Sequence, residues 1–208
     1  MRKLCISLLF VISASLSAQV RLDKPEMYIG ANFGVTESMV LFKPAITQGF
    51  LMGFNGGVVF RYIAEKNVGM QAELNFSQRG WKEASGLFTR QLNYIELPFM
   101  THIYVGHKNR FFFNLGPKIS YLISENVLVN GTVNSTALQQ VTSVQNPFDY
   151  GLCTSLGFLF NIKGKILQLD TRANFGLSDI FADTKRDYFA TSNNVDLSLN
   201  LAWLFQVK

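Results

Sequence analysis

The residues that could do chemistry are few and fall into one pattern. Arg61, Arg79, Lys118 and Arg172 each lie in a stretch where polar and apolar side chains alternate, and so do Glu73, Glu96, Asp149, Asp170 and Asp196. In every case the charge occupies the polar phase of the alternation. A strand sends successive side chains to opposite faces, so these nine residues share the polar side of a sheet. If that side is enclosed, the charges must pair and hydrogen-bond. They then form either a structural salt-bridge plug, the reading that a narrow enclosure favours, or a path for protons or small ions. Catalytic sets are thin. His102 falls on the same phase and His107 in a turn, which makes no metal cluster. Ser120 and Ser155 have no His and acid converging on them. Cys153 reads as a small packed residue. The sequence thus predicts no enzyme, no cofactor and no metal site.

The elements that carry these residues are strands. The stretch Gln91–Tyr104 shows it best: Ile95, Leu97, Phe99, Thr101 and Ile103 alternate with Tyr94, Glu96, Pro98, Met100 and His102. Similar stretches run over Met27–Thr36, Gly49–Tyr62, Val68–Arg79, Phe111–Leu122, Phe148–Phe160, Ile166–Leu177 and Asn194–Phe205, eight in all. Each is long enough to cross a bilayer core when tilted, and their apolar phase is almost free of charge. The links between them are expected to alternate: long at Glu37–Gln48, Gly80–Thr89, Ile123–Pro147 and Ser178–Ser192, short at Ala64–Asn67, Gly106–Asn109 and Asn161–Lys165. An even strand count lets the last strand pair with the first and removes both edges. The expectation is an all-β fold, an eight-stranded antiparallel up-and-down transmembrane β-barrel with a polar lumen. Pro98 and Pro117, each lacking a backbone donor, suggest local bulges. Within Ile123–Pro147, Val127–Val129 and Gln139–Val144 suggest a small hairpin, Asn130–Gly131 is a turn signal, and Asn134–Ser135–Thr136 matches a glycosylation sequon. Tyr62, Trp81, Tyr104, Tyr121, Tyr150 and Trp203 near the strand ends suggest aromatic girdles.

Composition agrees with this reading. Charged residues are 16%, aromatics 13%, and mean hydropathy is +0.16. Met1–Arg2–Lys3, the apolar run Leu4–Leu16 and the small residues Ser15, Ser17 and Ala18 form a secretory signal, expected to be cleaved before Gln19. That gives a signal peptide over 1–18 and one barrel domain over 19–208. Losing the two cations Arg2 and Lys3 takes the formal charge from +5 to +3, which is not a nucleic-acid footprint. It also leaves Cys153 as the one cysteine, so no intrachain disulfide can form.

Tyr94–Ile95–Glu96–Leu97–Pro98 resembles the Y-[IL]-E-[IL]-P strand of the PorT-like outer-membrane β-barrel family. Gly116–Pro117, Asp149–Tyr150–Gly151, Leu199–Asn200–Leu201 and a Gly-rich first hairpin add to the likeness, which spans Met27 onward. The resemblance implies an eight-stranded barrel in the outer membrane of Gram-negative bacteria, and for one branch an accessory role in protein secretion. The expected protein is a monomer in outer-membrane lipid, with a side-chain-filled lumen and a structural or interaction role. A protein partner would dock at loops 123–147 and 178–192. The alternative is a soluble exported calycin-like barrel that binds an apolar ligand, which would turn the apolar phase inward.

Overall fold

The computed structural model describes residues 21–130, 140, 142–181 and 189–207, and side chains among them from Lys24 onward. The signal segment, Gly131 and the Asn134–Ser135–Thr136 sequon lie outside the described residues. The strands are β1 (Arg21–Lys43), β2 (Gln48–Gly49), β3 (Leu51–Glu65), β4 (Val68–Glu83), β5 (Phe88–Gly106), β6 (Asn109–Val129), β7 (Phe148–Ile162), β8 (Lys165–Asp179) and β9 (Thr191–Gln206). All pairings are antiparallel. β1 pairs with β3, the strands from β3 to β9 each pair with the next, and β9 returns to β1 from Tyr28↔Gln206 to Lys43↔Thr191. The eight long strands therefore close into a ring. The two-residue β2 lies against the outer end of β4 through Gln48↔Glu83 and Gly49↔Lys82.

Closure leaves no edge, and the alternation decides which face is inside. Phe33 is 60% exposed and Leu201 52%, whereas Asn200 and Arg61 are 1% exposed. From Ala31 to Val35 of β1, and at the residues paired with them on β3 and β9, no outward side chain carries a charge. The polar phase faces inward throughout. A calycin-like arrangement needs the reverse, so the soluble alternative is not favoured.

The strands run further than the sequence suggests, and the extensions away from the short turns change the reading of the loops. Glu37–Lys43 reads as loop, yet it continues β1, because Val40 and Phe42 keep the inward phase and are buried. The stretch Gly80–Thr89 is not a long loop either: β4 runs to Glu83 and β5 starts at Phe88, so the connection is four residues. Gly80 sits there with φ +141°, a backbone conformation suited to glycine, and a Cβ would meet the Arg90 carbonyl oxygen. β6 extends to Val129 and pairs with β5 through Phe88↔Val129 and Arg90↔Val127. Val127–Val129 therefore extend the wall as part of β6, while Gln139 and Val141 of the expected hairpin lie outside the described residues. Ser178–Asp179 and Thr191–Ser192 likewise belong to β8 and β9, which shortens the last loop.

The prolines do not create bulges. β5 and β6 hold one register on both sides of the proline level, at Pro98↔Lys118 and Thr101↔Leu115, and the ladder between them is merely interrupted. β6 and β7 stay paired through Pro117↔Leu152. The register shift in β5 falls instead between Asn93 and Tyr94, opposite Ile123. At the other end the chain turns tightly. Lys163 and Gly164 both have positive φ (53° and 81°) in a two-residue hairpin, Asn67 has φ 71°, and Gly106 has φ 112°. The described starts and ends of the chain lie at this same end.

If the outer wall faces lipid, Leu199→Arg at mid-height should cost about 2–4 kcal/mol of stability. Urea unfolding in lipid vesicles measures this. An unchanged midpoint would mean that this wall does not meet hydrocarbon.

Candidate functional site

The lumen is filled in layers. Nearest the short turns, Tyr28, Val59, Ile63, Tyr104, Phe112, Leu159, Ile166 and Leu204 pack into an apolar floor. At the opposite end Val40, Phe42, Trp81, Phe88, Leu92, Tyr94, Ile180, Phe181 and Phe189 form an apolar roof. Phe42 lies at its centre, 5.2 Å from the Trp81 ring and 4.8 Å from that of Phe189. Between floor and roof lie all nine charges that the sequence points to, each no more than 5% exposed. Their strands bring them into two clusters.

The lower cluster crosses the barrel. Arg172 on β8 donates two parallel bonds to Glu73 on β4, at 2.7 and 2.9 Å, and lies 3.7 Å from Asp170. Bidentate Arg–carboxylate pairs are the strong, geometrically specific kind. Glu73 accepts further bonds from Asn32 (2.9 Å), Asn75 (2.7 Å) and Gln71 (2.5 Å). Asp170 accepts from Gln168 (2.7 Å) and Asn200 (3.2 Å). Arg61 donates its Nε–H to Gln71 at 2.9 Å and also bonds Gln168, so amides and not carboxylates receive it directly. Its guanidinium lies 5.8 Å from the Phe112 ring centre, at the top of the floor.

The upper cluster is organised by Arg79. Its guanidinium is 3.2 Å from Glu96, 3.1 Å from Asp149 and 3.7 Å from Asp196, and it stacks 3.9 Å from the Tyr94 ring centre. Lys118 bridges Glu96 at 3.3 Å and Asp196 at 3.9 Å. Asn174 donates to Asp196 (2.7 Å), and Ser178 (2.5 Å) and Asn194 (3.3 Å) donate to Asp149. Two cations thus face three carboxylates, two of which also accept from amide or hydroxyl donors.

Two ion pairs outside the predicted set guard the ends. Arg110 forks onto Glu26 at 2.9 and 3.0 Å, with its guanidinium 4.5 Å from the Tyr104 ring centre. Arg90 lies 2.6 Å from Glu125 and 5.3 Å from the Trp81 ring centre. Arg90 also donates to the carbonyls of Thr142 and Gln140, while Gln140 donates to Glu83 at 2.9 Å. Glu26 and Arg110 fall just outside the predicted strands, and Arg90 and Glu125 lie close to or inside a predicted loop. Extending the alternation of β5 outward by one turn of its pattern would have found Arg90.

The other candidates resolve as packing. The His102 Nδ1 is 2.7 Å from the Asn114 Oδ1, and the ring stacks on Tyr104 at 5.6 Å. Ser155 accepts from Asn114 at 3.1 Å, and the Cys153 Sγ sits 3.5 Å from the Met100 sulfur. Among the described residues no group of three His, Cys, Asp or Glu is placed to hold a metal ion. Tyr121, Tyr150 and Trp203 do face outward, as a girdle requires. Trp81 and Tyr104 do not: both are on the inward phase and buried in roof and floor, because an aromatic near a strand end serves either face.

A family model described as outer membrane protein beta-barrel domain matches residues 18–182. Among solved structures, Ail of Yersinia pestis is 12% identical with a TM-score of 0.45, over 86% of this chain and 99% of its own. Neisserial surface protein A is 11% identical (TM-score 0.47; 86% and 98%). OprG of Pseudomonas aeruginosa is 12% identical (TM-score 0.47; 86% and 95%). No curated protein sequence matches the chain. The family match covers most of the chain and the barrel is closed, with its apolar face outward; the protein belongs to the outer membrane protein beta-barrel domain family and resides in the outer membrane.

Proposed function

We propose that this barrel is a non-conducting, non-enzymatic structural or interaction protein, and that Arg61, Glu73, Arg79, Glu96, Lys118, Asp149, Asp170, Arg172 and Asp196 act as its structural plug. The observation that carries this is the position of Arg79. It is surrounded by three carboxylates and shut between two apolar layers. A proton or ion path needs groups that can exchange with water at both ends; here floor and roof cover them. Function then falls to the external end. There the chain after β6 is tied back by Arg90 and Glu83, and Val144 donates its N–H to Glu125 at 3.1 Å. A protein partner would meet what remains of loops 123–147 and 178–192. An accessory role in protein secretion is the form of partnership that the Tyr94–Pro98 motif supports, and the barrel acts as a monomer in lipid.

Two experiments test this reading. Purified protein in a planar lipid bilayer should give no stable current steps at either polarity; regular unitary conductance would sink the plug. Arg172→Leu should cost about 3–5 kcal/mol, because it strands Glu73, while the double change Arg172→Leu with Glu73→Leu should recover much of that loss. Urea unfolding of both variants in vesicles reads the difference. Equal loss in both would mean that the pair is not a coupled unit.

A further inference from the structure

The end of the barrel that carries the short turns is strongly basic. Under the outer-membrane orientation rule this is the periplasmic end. Among the described side chains it holds Lys24, Lys66, Lys108, Lys163, Lys165 and Arg110 against Glu26 and Glu65, six cations to two carboxylates. Arg110 is taken by Glu26. Lys66, Lys108 and Lys163 sit one in each of the three turns, are exposed, and form no ion pair among the described residues; nor does Lys24 at the start of β1. The external end differs. Among the described side chains it holds Lys43, Lys82 and Arg90 with Glu37, Glu83, Glu125 and Asp179, three cations to four carboxylates.

The outer wall just inside the basic ring is aromatic. Tyr62, Phe111, Phe158, Phe160, Trp203 and Phe205 lie on it, and the Lys165 Nζ is 5.2 Å from the Phe205 ring centre. Aromatic rings settle at the headgroup level, and lysine stems reach from that level towards phosphate. The ring of unpaired ammonium groups therefore stands at the height of the phosphates of the periplasmic leaflet.

We propose that this rim is a binding surface for anionic phospholipid, with Lys24, Lys66, Lys108 and Lys163 engaging headgroup phosphates of the periplasmic leaflet. The charge difference between the two ends then fixes the depth and direction of the barrel in the membrane. Each lysine near an anionic surface contributes about a fivefold preference, and salt weakens it.

The test uses full-length protein refolded in phosphatidylcholine vesicles containing a trace of spin-labelled phosphatidylglycerol or spin-labelled phosphatidylcholine. The fraction of motionally restricted label gives relative association. Wild type should select phosphatidylglycerol by about fivefold or more at low salt, and high salt should erase the selection. The variant K24Q/K66Q/K108Q/K163Q should lose it, while K43Q/K82Q at the external end should keep it. Quenching of Trp203 fluorescence adds a reading that needs no variant to fold: Trp203 lies on the outer wall near the basic rim, whereas Trp81 is buried in the roof. Brominated phosphatidylglycerol should quench it more than brominated phosphatidylcholine. Equal association of both lipids with wild type, equal quenching by both, selection that survives in the four-lysine variant, or selection lost in K43Q/K82Q would each overturn the proposal.

Discussion

A ring of eight strands has room inside for side chains and little else, so each inward polar group must find its partner within the lumen. β4 and β8 stand four places apart in the ring, on opposite walls. Glu73 and Arg172 span that diameter. Arg79, also on β4, reaches Asp149 on β7 and Asp196 on β9. These contacts join walls that share no backbone ladder. The backbone bonds close the sheet around its circumference, and the charges brace it across. The same crowding explains the small residues at inward positions. A Cβ on Gly116 would lie 2.0 Å from the Phe99 carbonyl oxygen, so β5 and β6 approach each other there in a way that a side chain would prevent.

Layering makes this cross-bracing tolerable. A buried charge is costly unless it is paired and its remaining donors and acceptors are satisfied. The apolar floor and roof keep water from competing, which strengthens every pair between them. The excess carboxylate of the upper cluster is absorbed by neutral donors, Asn174 on Asp196 and Ser178 and Asn194 on Asp149. This is why the polar phase is rich in Asn, Gln and Ser as well as charge. Amides let one carboxylate be shared among several strands.

Much of this was legible in the sequence, and for one reason. With a period of two, lipid outside and a polar lumen inside, each strand declares its faces on its own, and all nine charges were placed inside without knowing a single contact. What was not legible depended on register and on the strand ends. Arg61 shows the first: its charge suggests an acidic partner, but the pairing Arg61↔Gln71 puts an amide beside it. Trp81 shows the second. It follows Gly80 in a polar stretch that looks like a loop, and only the continued pairing Trp81↔Arg90 turns its ring into the roof. Pro98 misled in the other direction, since the ladder tolerates the missing donor with a gap and keeps its register. The stretch Tyr94–Pro98 divides its residues between the two faces. Tyr94 stacks under Arg79 and Glu96 ties Arg79 to Lys118, while Ile95 and Leu97 face outward.

The extended outer ends of the strands bear on how such a closed barrel can act at all. With the lumen filled, any signal or partner must be met by the external surface, and that surface is built as an outgrowth of the sheet. β4, β5 and β6 rise above β7, whose pairing with β6 ends at Tyr121↔Phe148 while β6 runs on to Val129. The raised panel is held from inside by Arg90, which joins Glu125 to the carbonyls of Gln140 and Thr142 and lies beside Trp81. One guanidinium thus links the panel, the returning chain and the roof. A change of shape at the external end would have to break that link or move the roof, so the mouth of the barrel is coupled to the panel above it. At the end of the short turns Arg110 joins Glu26 and lies over the Tyr104 ring of the floor, but it holds no raised panel: the turns there are only two residues long. The two ends therefore differ in build, a raised panel of sheet on one side and tight basic turns on the other.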